Sequence, residues 1–395
     1  MKILWALAAL ALFCPSGQAQ ASAAPTSPGA NQAGPRARQT AQPPEDDPAA
    51  DLPVVKLEFK TMPPIPGVAA SPVFVSPILC SPEGTPFVDY PQMPEFRAHT
   101  IYELDPKGAR SFSPDSAPGL YDVVYLNFFV GESVVVFLVD ATKDAAQSAD
   151  AYNPLPGTNA KPVKRYIGEH HGYLVKFGRD GSYQSTVELP DTFEFRRVGV
   201  LADGSFLALG FRRANSEARL LVLDSGGQIV RALQLPSKML DSPDLTQGQT
   251  GSDVSSALAA TSLSSWLFAP SRSRILLYQA HSGSPILEVG AGGATREVPL
   301  QAPRGYELDG IVPANDRWVV RYRRKSGSSS GRMQAQLGSG DYALYEVLPG
   351  DGSLRARIDP GDGPIHNISC EQDGVFTAFS MDKDKVVRTT AELGR

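Results

Sequence analysis

The chain has little of what usually announces a chemistry. Its 395 residues include three cysteines, too few for a disulfide framework, and no Cys-x-x-Cys pair for a metal or a redox couple. Five histidines are present but no HExxH, no Walker loop and no complete dinucleotide fingerprint, which removes the readable signatures of zinc peptidases, nucleotide hydrolases and nicotinamide enzymes. "GSSSG" at Gly327–Gly331 fits a nucleophile-elbow pattern by letter only, since it lies in a serine-rich stretch without strand-turn-helix context. Beyond the first residues no apolar run is long enough to span a bilayer as a helix. Positive charge is not in excess: 37 Lys and Arg face 42 Asp and Glu, a net charge of −5, so no global basic field draws the chain to nucleic acid.

What is abundant is turn chemistry, with 36 Gly and 34 Pro. The chain opens on "MKILWALAALALFCPSGQAQASAAP", with Lys2, an apolar run Ile3–Phe13 and the small-residue step Ala19-Gln20-Ala21. That is a secretory signal over 1–21, and it predicts export to a periplasmic or secreted location. Phe13 and Pro15 fit poorly with a lipobox around Cys14, so this cysteine is expected to leave with the signal. Residues 22–52 are Ala/Pro-rich with almost no large apolar side chains and read as a disordered tether. The folded domain is expected over 53–395.

A repeat is written in the turns. "YLVKFGRDGSYQSTVELP" (Tyr173–Pro190) and "RLLVLDSGGQIVRALQLP" (Arg219–Pro236) align without a gap, and "RRVGVLADGSFLALGF" (Arg196–Phe211) lies between them. Gly181, Gly204 and Gly227 fall 23 residues apart. Extending the ruler finds turns at Gly84, Gly108, Gly131, Gly293, Gly352 and Gly374, and two without glycine near Ser273 and Asp316. Glycine suits these points because two-residue hairpin turns need positive φ. Val198, Val200, Phe206 and Leu207 crowd one hairpin with apolar groups, as strands covered on both faces require. Ile229, Leu233 and Leu235 alternate with polar residues, as a half-exposed outer strand requires. A period near 46 residues carrying four such strands is the pattern of a β-propeller blade. Eleven hairpins leave half a blade over, and "KVVRTTAEL" (Lys385–Leu393) with "VVKLEFK" (Val54–Lys60) can supply it. The expected fold is therefore all-β, a six-bladed β-propeller of four-stranded antiparallel blades, closed by pairing of its N- and C-terminal strands.

Over Val54–Arg395 the repeated apolar-turn-apolar hairpin resembles six-bladed β-propellers of the NHL and TolB-like kind found in exported bacterial proteins. The resemblance implies a fold, not an activity, because such rings serve as scaffolds, ligand binders and enzymes alike.

Turns within hairpins share one face of such a ring, and connections between hairpins share the other. Three insertions, 141–168, 237–264 and 326–340, all fall between hairpins and so belong to the second face, where repeat proteins commonly bind. His99, His170, His171, His281 and His366 also fall in or beside between-hairpin segments. None of them has metal-ligand spacing except the adjacent pair His170 and His171, whose side chains diverge in an extended chain, so no metal and no cofactor is expected. Arg196, Arg197, Arg212, Arg213, Arg321 and Arg323 gather toward the same side. Their planar forks suit carboxylates or phosphates, unless Glu194, Glu217 and Asp309 neutralise them. "NIS" at Asn367 matches a glycan acceptor but falls on an expected inner strand. Cys80 and Cys370 each stand four residues before a turn glycine, in equivalent places of the first and last blades. A disulfide between them and a pair of buried thiols both fit.

The expected function is a non-enzymatic, monomeric binding or scaffold module. It would contact an extracytoplasmic protein or a small anionic ligand through the long-loop face, with no nucleic acid and no transmembrane segment. The competing reading is a lyase or hydrolase at the propeller mouth, metal-dependent or not, using His366 with Arg321 or Asp309.

Overall fold

Asp-Gly-Ser recurs at Asp180–Ser182, Asp203–Ser205 and Asp351–Ser353, and each copy closes a hairpin turn with the same side-chain bond, the third turn being one residue longer than the others. The aspartate Oδ1 accepts the serine N–H at 3.0 Å in all three. The glycines hold φ of 87°, 80° and 72°, the left-handed region that a Cβ disfavours. Gly131, also expected to need positive φ, does not.

These turns join strands in the computed structural model of the chain. It describes residues 48–49, 51–62, 76–91, 99–105, 108–152, 163–236, 266–271, 273–280, 282–314, 316–325, 342–361, 368–382 and 385–393. All of them belong to one compact unit, Glu45–Arg395. Numbered in chain order, the first four-stranded sheet is β2 (Ser76–Cys80), β3 (Pro86–Pro91), β4 (His99–Asp105) and β5 (Gly108–Phe112). The second is β6 (Tyr121–Val130), β7 (Val134–Thr142), β10 (His171–Gly178) and β11 (Tyr183–Glu188). Its middle connection carries a separate two-stranded ribbon, β8 (Gln147–Tyr152) and β9 (Val163–Tyr166). The third is β12 (Phe193–Val200), β13 (Phe206–Arg212), β14 (Glu217–Leu223) and β15 (Ile229–Leu233). The fourth is β16 (Trp266–Ser271), β17 (Arg274–Gln279), β18 (Ile286–Gly290) and β19 (Thr295–Val298).

The remaining strands form one sheet instead of two. It runs β20 (Tyr306–Pro313), β21 (Trp318–Arg324), β22 (Tyr342–Val347), β23 (Leu354–Asp359), β1 (Val54–Thr61), β26 (Lys385–Leu393), β25 (Val375–Asp382) and β24 (Ile368–Gln372). The expectation of six separate blades is corrected accordingly: four sheets of four strands stand apart, and eight strands are continuous. The cause is β1, which bonds along both edges. It pairs antiparallel with β26 from Leu57↔Leu393 to Thr61↔Thr389, and parallel with β23 from Val54↔Arg357 to Lys56↔Asp359. An edge that would otherwise present free N–H and C=O groups is thereby covered.

The arrangement is propeller-like. β2 lies beside β6, β6 beside β12, β12 beside β16, β16 beside β20, β20 beside β24, and β24 beside β2; β2 also touches β16. The apolar clusters sit between neighbouring sheets rather than within one. Phe87 and Phe112 of the first sheet pack with Phe128, Phe137 and Phe177 of the second. Leu138, Leu209 and Leu277 belong to a cluster spanning the second, third and fourth. Each fully buried side chain of this size contributes about 1.5–3 kcal/mol, so face-to-face packing of adjacent sheets carries the stability.

Cys80 of β2 and Cys370 of β24 form a disulfide with Cα atoms 5.5 Å apart. β12, β20 and β24 each carry one extra residue where the register shifts, at Arg196, Asp309 and Ser369, and β6 carries two, one of them Leu126. Such bulges re-aim the side chains that follow.

Candidate functional site

On the face of the between-hairpin connections, the ends of β6, β7, β10, β12 and β13 bring together a mixed-charge cluster. His170 is its centre: Nδ1 lies 3.1 Å from Asp140 Oδ1 and Nε2 lies 3.4 Å from Asp122 Oδ2. Asp122 holds φ of 48°, a conformation aspartate tolerates better than most residues and one that marks a fixed position. Burial raises the Asp140 carboxyl above its ordinary range against the opposing pull of His170 and Arg213. Beside it, His171 Nδ1 lies 2.8 Å from Asp191 Oδ1, and that hydrogen bond raises the imidazole above its ordinary value. The β8–β9 ribbon lies against β6, the strand that carries Asp122. Its Tyr166 ring packs on Tyr121 of β6 with centroids 5.1 Å apart, and Ile167 just after it is 64 % exposed.

The arginines singled out from sequence do not form one patch. Arg196 is ion-paired with Glu194, Arg321 with Asp309, and Arg323 Nη2 with Glu307 Oε1 at 2.8 Å. Arg212 stacks over Phe193 at 5.9 Å, and Arg213 is exposed near Asp140. Arg197 is placed differently. The bulge at Arg196 turns Arg197 away from the face, and its Nε donates to the Trp266 carbonyl of β16 at 3.1 Å. The Asn127 amide, in the orientation that suits its neighbours, accepts from its Nη1 at 3.2 Å. Desolvation lowers its guanidinium from the ordinary value. It therefore ties three sheets together in the interior. Tyr278, pushed up to about 12 by burial, feels both Arg321 and Arg197. His281, His366, Asn367, the insertions 237–264 and 326–340 and the GSSSG stretch lie outside the described residues. His99 opens β4.

The opposite face, that of the turns within hairpins, is concave. The β2–β3 turn meets the β16–β17 turn across the mouth, and Pro82, Ser271, Ser273 and Arg274 line cavities on both sides of that contact. One cavity is about 140 Å³ and the other about 270 Å³. Beside the larger one, Arg274 Nη1 and Arg296 Nε both donate to Oε2 of Glu288, at 2.5 and 2.7 Å. Sequence reasoning missed this site. The available signal was a glutamate in the third strand shortly before the turn, in "YELD", "LEVG" and "YEVL". Those residues, Glu103, Glu288 and Glu346, hold the same place in the register and are all buried. Each has an arginine partner: Arg179, Arg274 and Arg317.

No protein-family model matches the chain, and no curated protein matches it. Among solved structures, virginiamycin B lyase from Staphylococcus aureus is similar at 11 % identity and a TM-score of 0.35, over 85 % of this chain and 99 % of that one. A DUF4623 family protein from Bacteroides eggerthii aligns at 9 % identity and a TM-score of 0.36, over 80 % and 71 %. A protein of unknown function from Bacteroides caccae aligns at 9 % identity and a TM-score of 0.32, over 76 % and 81 %. Likenesses this distant say nothing about activity.

Proposed function

We propose that the chain is an exported, monomeric propeller module that binds a partner protein through the face bearing the β8–β9 ribbon. In this reading residues 1–21 are a signal peptide and the Ala/Pro-rich stretch after it a linker that ends where the compact unit begins, at Glu45, with Ala49 and Leu52 packed on the core. The continuous eight-stranded sheet counts as two blades stapled by β1, giving a six-bladed ring of the NHL and TolB-like kind. The ring of neighbouring innermost strands supports that count.

The observation that carries the reading is the ribbon itself. An insertion that merely tolerated surface exposure would need no structure, whereas this one pairs β8 with β9 and seats Tyr166 on Tyr121. It holds exposed Ile167 beside the His170 cluster, an apolar and polar combination suited to a protein surface. Arg196, Arg321 and Arg323 already face carboxylates of their own, which favours a protein over a small anion as partner.

A photo-crosslinking residue at position 167, with a second at position 204 on the opposite face as control, tests it in the producing cell envelope. A discrete adduct from 167 and none from 204 is expected. Adducts of equal yield from both positions, or none from 167, would overturn the reading.

A further inference from the structure

The turn-side mouth has a different character, and we propose that its larger cavity binds a small zwitterion, a molecule of amino-acid or dipeptide size bearing both a carboxylate and an ammonium group. At about 270 Å³ the space sits near the lower end of small-ligand sites and excludes a folded partner.

One wall is basic and comes from a single sheet. Arg274 of β17 and Arg296 of β19 flank Glu288 of β18 and share its Oε2. Glu288 is 5 % exposed, while the arginines are 48 % and 43 % exposed. Two guanidinium charges against one buried carboxylate leave positive charge in surplus. The shared anchor fixes the forks while leaving further N–H donors toward solvent, the arrangement that receives an incoming carboxylate. Arg296 Nη2 is held again by the Pro349 carbonyl at 2.9 Å.

Facing it around the mouth are Glu371 at the end of β24, Asp373 in the β24–β25 turn and Glu83 in the β2–β3 turn. Buried Glu371 is fixed by accepting the Gly374 N–H through Oε1 at 2.6 Å, and Glu83 is ion-paired with Arg179, which also serves Glu103, so this side keeps negative charge in surplus. Three carboxylates there favour an ammonium group. Between the two walls, the β20–β21 hairpin contributes Pro313, Ala314 and Trp318, an apolar surface for a carbon skeleton. Opposed walls also discriminate: an anion alone meets the acidic turns, and a cation alone meets the arginine pair.

This cavity lies on the face away from the ribbon, so the proposal stands or falls independently of the partner reading. Titration calorimetry on the exported chain with L-alanyl-L-alanine, its N-acetyl derivative and its C-terminal amide tests it. Saturable binding of the free dipeptide is expected, weakened at least about tenfold by either cap, the loss of one charge-assisted contact. Arg296→Met should weaken the free dipeptide to a similar degree and leave the amide unaffected, and Asp373→Asn should do the same against the N-acetyl form. Thermal unfolding of each variant separates lost binding from lost fold; should Arg296→Met unfold, Asp373→Asn on its exposed turn still decides. No saturable heat at millimolar dipeptide, or capped forms that bind as tightly as the free one, would overturn the proposal.

Discussion

Cys80 and Cys370, 290 residues apart in the chain, are bonded to each other between the innermost strands of the first sheet and the continuous one. The link fastens the beginning of the ring to its end at the axis, while β1 fastens it again at the rim. A closed loop of that length restricts the unfolded chain severely. Replacing both cysteines with alanine should cost about 3–5 kcal/mol. Urea unfolding of the double variant beside the oxidised parent measures it, and an unchanged midpoint would show that the ring is held by its sheets alone.

The rim fastening rests on Leu57, which is 7 % exposed and packs with Ile368, Phe376 and Ala391. Leu57→Ala should destabilise by about 2–4 kcal/mol, the usual range for a buried leucine truncated in a core. Hydrogen exchange should then show the loss first in β26 and β23, the two strands that β1 bonds.

Two glycines with the same turn conformation should answer differently to alanine. At Gly204, φ is 80° and an added Cβ meets nothing within 4 Å, so Gly204→Ala should cost only the conformational term of about 1–2 kcal/mol. At Gly84, φ is 89° and the Cβ would stand 2.0 Å from the Glu371 carbonyl oxygen. Gly84→Ala must also push the β24 backbone, next to the disulfide, and should be clearly the worse of the two in thermal unfolding.

Two side chains set opposite pH limits. The Ser205 hydroxyl, bonded to Asp203, holds that carboxyl below its usual range, with Gly292 N–H of the neighbouring sheet adding to it at 2.7 Å. Its stabilisation is present above about pH 4, the unfolded value, and is lost as pH falls through the lower folded value. His171, raised by Asp191, contributes fully below about pH 6.5 and loses that contribution as pH rises through its folded value. Asp203→Asn should flatten the acid limb of stability, and Asp191→Asn should return the His171 NMR titration toward the ordinary midpoint. Both effects should be modest, because Asp203 and Asp191 are exposed and screened by solvent.

The turns show how much was legible in the sequence. Asp-Gly-Ser at 203–205 dictates its own geometry through a side chain and a φ preference, both local, so the hairpins could be placed from letters alone. The terminal strands were legible for a similar reason, since a half-blade left over at one end needs a partner at the other. The candidate site was not legible in this way. Arg197 reads as the twin of Arg196, yet at the bulge Arg196 pairs with Glu194 of its own strand while Arg197 donates to the Trp266 carbonyl of the next sheet.

The strand period, the turns and the match between first and last segments are all written in the letters, because each depends on neighbours within a few residues or on simple alternation. That β1 bonds β23 as well as β26, that Cys80 reaches Cys370, and that Arg274, Arg296 and Asp373 face one cavity emerges from the folded chain alone. Those depend on how sheets far apart in the chain come to rest against each other, and a packing distance between distant segments leaves no trace in local pattern.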